Sequence, residues 1–242
     1  MLEAVYRFLY LIIYSVFLFH EIVCEKWSDL RKYLSDLNQN ITGPAMEQFV
    51  FQGLDKTPNH ISFIIDETPS YKDLANLVIW CMITRISFVS FYDKKGFLKK
   101  GVEKLEYEVN ERKLPSDHVF WHNQDMDDFK NGFSGRKVHV KILTEKESKK
   151  SLEILCKKLI AEETSTSEIT TEFIDDSLRE LYGFPDPDVG VIFSKIFSLS
   201  DYPPWQIRLT ELYRLNSHYN ITFNDFVNVL TKYSKCDQRW GT

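Results

Sequence analysis

His60-Ile61-Ser62-Phe63-Ile64-Ile65, then Ser70-Tyr71-Lys72-Asp73-Leu74-Ala75-Asn76-Leu77-Val78, then Ile86-Ser87-Phe88-Val89-Ser90-Phe91-Tyr92 carry the reading of the fold. The first run is short, apolar and bounded by Pro58 and by Thr68-Pro69, as expected of a strand buried on both faces of a parallel sheet. Ser70 and Asp73 have the S-x-x-D spacing of a capping box, and Leu74, Leu77, Val78 and Cys81 recur on one helical face. The third run is a second strand. Strand, helix and strand with short joins form a βαβ unit, whose parallel strands require a right-handed crossover.

The same alternation continues downstream. Leu98, Val102, Leu105 and Val109 form the stripe of an amphipathic helix, and Val138, Val140 and Ile142 alternate with His139 and Lys141 as in a strand. Thr144 and Glu147 predict a second capping box leading into Leu152, Leu155 and Leu159. Residues 162–171 read as a surface loop. Phe173, Ser177, Leu178 and Leu181 predict a helix closed by Gly183, residues 189–193 a short buried strand, and Thr222 with Asp225 the cap of a last helix through Phe226, Val229, Leu230 and Tyr233. The expected class is α/β, with a mainly parallel sheet flanked by helices.

Upstream, residues 8–19 are an unbroken apolar or weakly polar run, extended to residues 4–24 if Arg7, His20 and Glu21 are allowed as interruptions. A membrane span needs about 20 apolar residues. Tyr6, Tyr10, Tyr14 and Trp27 suit a bilayer interface, and Arg7 lies close enough to one end to snorkel. The reading is a membrane-anchor helix over residues 1–25, spanning or lying in the interface, with an N-terminal core helix as the alternative. Residues 26–56 read as a linker whose first half can continue that helix, and residues 57–242 as the folded domain.

Composition excludes several classes. Across 242 residues, 43% hydrophobic and 27% charged rule out global disorder, and a net charge of −5 removes any bulk electrostatic case for nucleic acid. Cys24, Cys81, Cys156 and Cys236 are too widely spaced for a zinc knuckle or redox pair, so free, mostly buried thiols in a reducing compartment are expected. His118 and His122, with Asp125, Asp127 and Asp128 nearby, would share a helical face as metal ligands do. Val119 stands where a metalloprotease helix has Glu, so a polar surface loop is the better reading. There is no glycine-rich phosphate loop. Asp66 and Glu67 follow the first strand at its carboxyl end, where open α/β sheets bind ligands; the alternative is a solvated pair. Arg239-Trp240-Gly241 close the chain, and an Arg fork beside a glycine suits a diphosphate.

Pro185-Asp186-Pro187-Asp188, Pro204-Trp205-Gln206-Ile207-Arg208-Leu209-Thr210-Glu211-Leu212 and Arg239-Trp240-Gly241 together resemble one family. It is the accessory subunit of eukaryotic dehydrodolichyl diphosphate synthase, the Nogo-B receptor type, within the cis-prenyltransferase superfamily. Asp73-Leu74-Ala75-Asn76-Leu77-Val78-Ile79-Trp80-Cys81-Met82 resembles the first helix of the same subunits, and the similarity runs from about Pro58 to the end. The resemblance implies an undecaprenyl-diphosphate-synthase-like fold paired through a broad dimer interface. Active members add isopentenyl diphosphate to an allylic diphosphate such as farnesyl diphosphate and need magnesium. In the dehydrodolichyl branch the product is the polyprenyl precursor of dolichol, for protein glycosylation.

Departures from the pattern decide which subunit is implied. Catalytic chains carry Asp-Gly-Asn-Gly-Arg-Trp-Ala after the first strand, whereas here Asp66 is followed by Glu67, Thr68 and Pro69. They also carry Asp-Leu-x-Ile-Arg-Thr, whereas Asp188 is followed by Val189, Gly190, Val191, Ile192 and Phe193, without the phosphate-holding arginine. The implied role is a non-catalytic activating subunit, inactive alone, with no catalytic or metal-binding residues of its own and Mg2+ in the partner's active site. Arg239 and Gly241 match a C-terminal R-x-G motif, with Trp240 in the variable position, that reaches across the dimer to isopentenyl diphosphate. Trp205, Ile207, Leu209, Glu211 and Leu212 are the candidate interface, and Glu211 matches a glutamate that active members use near magnesium. The implied partner is a catalytic cis-prenyltransferase subunit, in a heterodimer or dimer of heterodimers. The implied location is the endoplasmic reticulum membrane with the domain facing the cytosol, where the sequons at Asn40 and Asn220 would carry no glycan. A membrane-anchored receptor or lipid-binding scaffold without a catalytic role is the competing function.

Overall fold

The computed structural model describes residues 2–38, 54–122 and 135–237, and the chain divides into the units Met1–Thr42 and Gly43–Thr242. The first holds α1 (Leu2–Asn38), so the helix runs on through the first half of the segment read as linker. Phe8, Leu9, Tyr10, Leu11, Ile12, Ile13 and Tyr14 cover every direction around its axis, and each is 44–67% exposed. A helix apolar on all sides is built to be covered by something apolar. Among the described residues no helix is long and apolar enough to cross a membrane, so the spanning form of the anchor finds no support.

The second unit is a six-stranded, all-parallel sheet in the order β3-β4-β2-β1-β5-β6. Its strands are β1 (His60–Ile65), β2 (Phe88–Asp93), β3 (His118–Trp121), β4 (Lys137–Leu143), β5 (Val189–Phe193) and β6 (Glu211–Leu215). β1 is buried along its whole length at the centre, as its apolar run predicts. Ile61, Phe63 and Ile65 enter the larger core, which α2 (Tyr71–Ile83), α4 (Val102–Arg112) and α7 (Phe223–Ser234) line with Leu74, Leu77, Leu105, Phe226 and Leu230. Phe63 stacks on Phe91 and Phe193, with centroids 5.4 and 5.9 Å away. The expected single helix over Leu98–Val109 is broken at Gly101 into α3 (Phe97–Lys100) and α4. A Cβ on Gly101 would lie 2.0 Å from the Tyr71 hydroxyl, so a larger residue there would require the Tyr71 ring to shift.

The opposite face carries α5 (Lys149–Ala161), α6 (Thr171–Tyr182) and the segments after them. Gly183, at φ +58°, ends α6 as predicted, but Leu181 is exposed and Tyr182 takes the inward position. The Thr144–Glu147 box forms on a 3-10 turn just ahead of α5, and the Thr222–Asp225 box forms on α7. The thiols differ from expectation in burial: Cys81 is buried, Cys156 exposed and Cys236 intermediate, all free.

This second face is polar as well as aromatic. His60 donates through Nδ1 to the Pro185 carbonyl (2.6 Å) and accepts at Nε2 from Ser90 Oγ (2.9 Å). The Tyr182 and Tyr202 hydroxyls meet at 3.1 Å, and Lys141 Nζ donates to the Tyr182 carbonyl at the end of α6. His118 and His122 lie in and just after β3, not on a helix, which corrects the surface-loop reading. His122 Nε2 sits 3.0 Å from His139 Nδ1, and the His139 ring stacks between Phe88 and Phe120. Burial pushes the His60 and His122 pKa values down to about 4.

A pH dependence follows with definite sign. Between about pH 6.5 and 4 the unfolded chain binds a proton at His60 that the folded chain excludes, so stability falls as acid is added. The fully buried His60 alone contributes about 1.4 kcal/mol per pH unit in that window. Urea midpoints measured from pH 7 to 5 should fall, and His60→Gln should flatten the slope. An unchanged slope in that variant would mean His60 is not the group responsible.

Candidate functional site

The carboxyl end of β1 is closed from within. Glu67 Oε1 accepts from Ser217 Oγ (2.5 Å), from the His218 backbone N–H (3.2 Å) and from His218 Nδ1 (3.0 Å). The fully buried His218 then accepts the Ser70 backbone N–H at Nε2 (2.9 Å). These partners fix one neutral tautomer, with the proton on Nδ1. Burial lowers the His218 pKa, with Glu67 pulling the other way. Ser70 begins α2, as predicted, but the S-x-x-D box does not form: Ser70 Oγ donates to Asp73 Oδ2 (2.5 Å) instead of accepting a backbone N–H. Asp66 is exposed, and its carbonyl accepts Lys95 Nζ (2.9 Å). Of the pair after β1, therefore, Asp66 is solvated and Glu67 is a structural tie.

A helix N-terminus after a strand ordinarily offers backbone N–H groups to phosphate. Here the N–H of Ser70, the first of that turn, is taken by His218, the Asp73 carboxylate is bonded to Ser70 Oγ, and the Glu67 carboxylate is bonded to Ser217 and His218 beside it. A diphosphate would meet negative charge. A magnesium–diphosphate pair needs several carboxylate oxygens and several cationic donors. With Glu67 Oε1 and Asp73 Oδ2 engaged, the solvated Asp66 and the Lys95 ammonium are one carboxylate and one cation where that pair takes more. The residues present do not fit that group. Among the described residues no cluster of three or more His, Cys, Asp or Glu side chains could hold a metal.

Asp188 lies at the other end of the sheet. Its carboxylate accepts the backbone N–H groups of Asn59 (2.7 Å) and His60 (3.0 Å), at the start of β1. Six residues of strand span about 20 Å, so Asp66 and Asp188 cannot share a ligand. All five residues of β5, Val189–Phe193, are buried, with no cation among them. Beyond β5, Ile196 and Phe197 are 74% and 56% exposed.

The candidate interface residues are placed differently from one another. Trp205 Nε1 donates to Asp175 (2.8 Å), which also holds Arg208 (2.6 Å) and Arg179 (3.1 Å), and the Arg208 guanidinium lies over the Trp205 ring. The Trp205 bond and the arginines hold the Asp175 carboxyl below its usual range. Ile207 packs against the second core, and Leu209 is 51% exposed. Glu211 opens β6, and Leu212 faces Gly190 in the β5–β6 register. β6 is the outermost strand, so it presents one edge without a strand partner among the described residues. Arg239, Trp240 and Gly241 lie outside the described residues, as do Asp125, Asp127 and Asp128.

No family model matches the chain. It is 32% identical over 205 residues to the dehydrodolichyl diphosphate synthase complex subunit Nus1 of Mus musculus, covering 78% of this chain and 68% of that one. The chain belongs to the Nus1 subunit family. The Schizosaccharomyces pombe member is 30% identical over 206 residues, covering 78% of each chain. Among solved structures, lavandulyl diphosphate synthase from Lavandula x intermedia superposes with TM-score 0.51 at 14% identity, over 76% of this chain and 98% of that one. A probable undecaprenyl diphosphate synthase from Campylobacter jejuni gives 0.51 at 13% identity, with the same coverage. Likenesses at such identity show the fold alone. The chain thus shares the parallel-sheet fold of those prenyl diphosphate synthases, with the end of its first strand tied by Glu67 and His218.

His218 and Ser217 went unnoticed in the sequence because they sit in a turn without periodicity, about 150 residues from Glu67. Their one local signal is a Ser-His pair between a strand and the capped start of a helix.

Proposed function

We propose that this chain is the non-catalytic activating subunit of a heteromeric cis-prenyltransferase. The complex adds isopentenyl diphosphate to farnesyl diphosphate, making the polyprenyl diphosphate precursor of dolichol for protein glycosylation. The carrying observation is the closed end of β1, where His218 and two carboxylates stand in place of a phosphate cradle. Magnesium and the apolar tunnel for the growing chain then belong to the catalytic partner. Arg239 supplies a guanidinium to the diphosphate of isopentenyl diphosphate, and Gly241 lends backbone room or an N–H there.

The partner docks on the side of the sheet where Ile196, Phe197 and Leu209 are exposed and the edge of β6 is open. The all-round apolar surface of α1 supports attachment at the endoplasmic reticulum membrane, with the domain on the cytosolic side. A receptor or scaffold would have no need of Arg239-Trp240-Gly241.

The test is incorporation of radiolabelled isopentenyl diphosphate into long-chain product with farnesyl diphosphate and magnesium. The chain alone, its catalytic partner alone and the co-purified pair are assayed side by side. Activity should appear or rise sharply only in the pair. Turnover by the chain alone would show that the closed end of β1 still works, and an unaffected active partner would favour the scaffold.

A further inference from the structure

The last described residues of the chain are anchored by a side chain from the segment before β1. Lys56 Nζ donates to the Cys236 carbonyl at 2.5 Å and lies 4.6 Å from the centre of the Tyr233 ring. The segment that delivers Lys56 is itself held, since Leu54 packs against the main core and Pro58 is buried. Cys236 is also tied through its own groups. Its N–H donates to the Tyr233 carbonyl (3.0 Å), and the Glu211 carboxylate near its thiol holds that thiol above its usual range. An ammonium on the carbonyls that follow a helix both satisfies an orphan acceptor and opposes the negative end of the helix dipole.

Arg239 lies three residues beyond Cys236, and three residues reach at most about 10 Å. Whatever holds Cys236 therefore limits where the Arg239 backbone can go. We propose that Lys56 is a positioning residue for the C-terminal tail: by clamping the Cys236 carbonyl and the Tyr233 ring it fixes the point from which Arg239-Trp240-Gly241 depart. This rests on the tail role proposed above and adds a residue from the opposite end of the domain to it. Without the clamp the last turn of α7 frays. The tail then occupies its working position for a smaller fraction of the time, which raises the apparent KM in proportion while the saturated rate holds.

The experiment uses the reconstituted complex with full-length chains carrying Lys56→Met, Lys56→Arg, Arg239→Ala or Lys56→Met with Arg239→Ala. Lys56→Met should raise KM for isopentenyl diphosphate about tenfold with kcat within about twofold, and Lys56→Arg should restore most of it. In the Arg239→Ala background Lys56→Met should make no further difference, because the group it positions is gone. Gel filtration and circular dichroism check association and folding, and Lys56→Gln serves as the milder variant should Lys56→Met fail to fold. An unchanged KM in a folded Lys56 variant, or the same fold loss in both backgrounds, overturns the proposal. No effect of Arg239→Ala on its own overturns the tail reading itself, and this inference with it.

Discussion

Replacing Arg239 by alanine is expected to lower kcat/KM of the reconstituted complex about 100-fold, or about 2.7 kcal/mol of transition-state stabilisation, while the two chains still co-elute. The magnitude is that of removing one charge-assisted donor from an anionic reacting group. A short tail adds little to the interface proposed above, whose apolar surface is that of Ile196, Phe197 and Leu209, each more than half exposed. Kinetics and association should therefore separate. Steady-state rates with isopentenyl diphosphate varied, beside gel filtration of the same samples, read both. If Arg239→Ala dissociates the complex, the tail is structural; if neither quantity moves, the tail has no part in the reaction.

His218→Leu is expected to destabilise the domain by about 3 kcal/mol. The imidazole links two buried or half-buried partners that leucine cannot serve. The Ser70 N–H would lose its acceptor, and Glu67 one of its donors. For a chain of this size the loss corresponds to a fall in Tm of roughly 6–12 °C. His218→Gln, whose amide can still accept from Ser70, should lose about half as much. Thermal melts at pH 7 decide the matter, and a leucine variant as stable as the parent would remove the tie from any account of this fold. The same bond network has a functional side, because the Ser70 N–H it takes is one of the backbone donors that the start of α2 would otherwise offer to an anion.

Much of the architecture could be read locally. The six-residue apolar run of β1 needs nothing beyond itself to be a buried strand, and the Thr222–Asp225 box and Gly183 act within four residues of where they stand. β3 and β6 escaped notice for a common reason: both are short edge strands, half-buried, with His118 and Arg214 breaking the apolar pattern. An edge strand is defined by its neighbour, and Val138 opposite Val119 or Gly190 opposite Leu212 is not a relation that periodicity can express. The Ser70–Asp73 box failed for the opposite reason. Its local chemistry was sound, but His218, arriving from a distant turn, took the backbone donor and left the serine hydroxyl to Asp73.

The amino-acid sequence alone sufficed for the alternation of strands and helices, the likeness to the accessory subunits and the absence of a phosphate cradle. Each depends on residue type and spacing along a few turns of chain, where backbone geometry is nearly the same in every protein. What occupies the emptied end of β1 required the folded chain. Glu67 meets His218 across 151 positions and Lys56 meets Cys236 across 180, and at such separations only the packing of β1, β6 and α7 against one core determines which polar groups find each other.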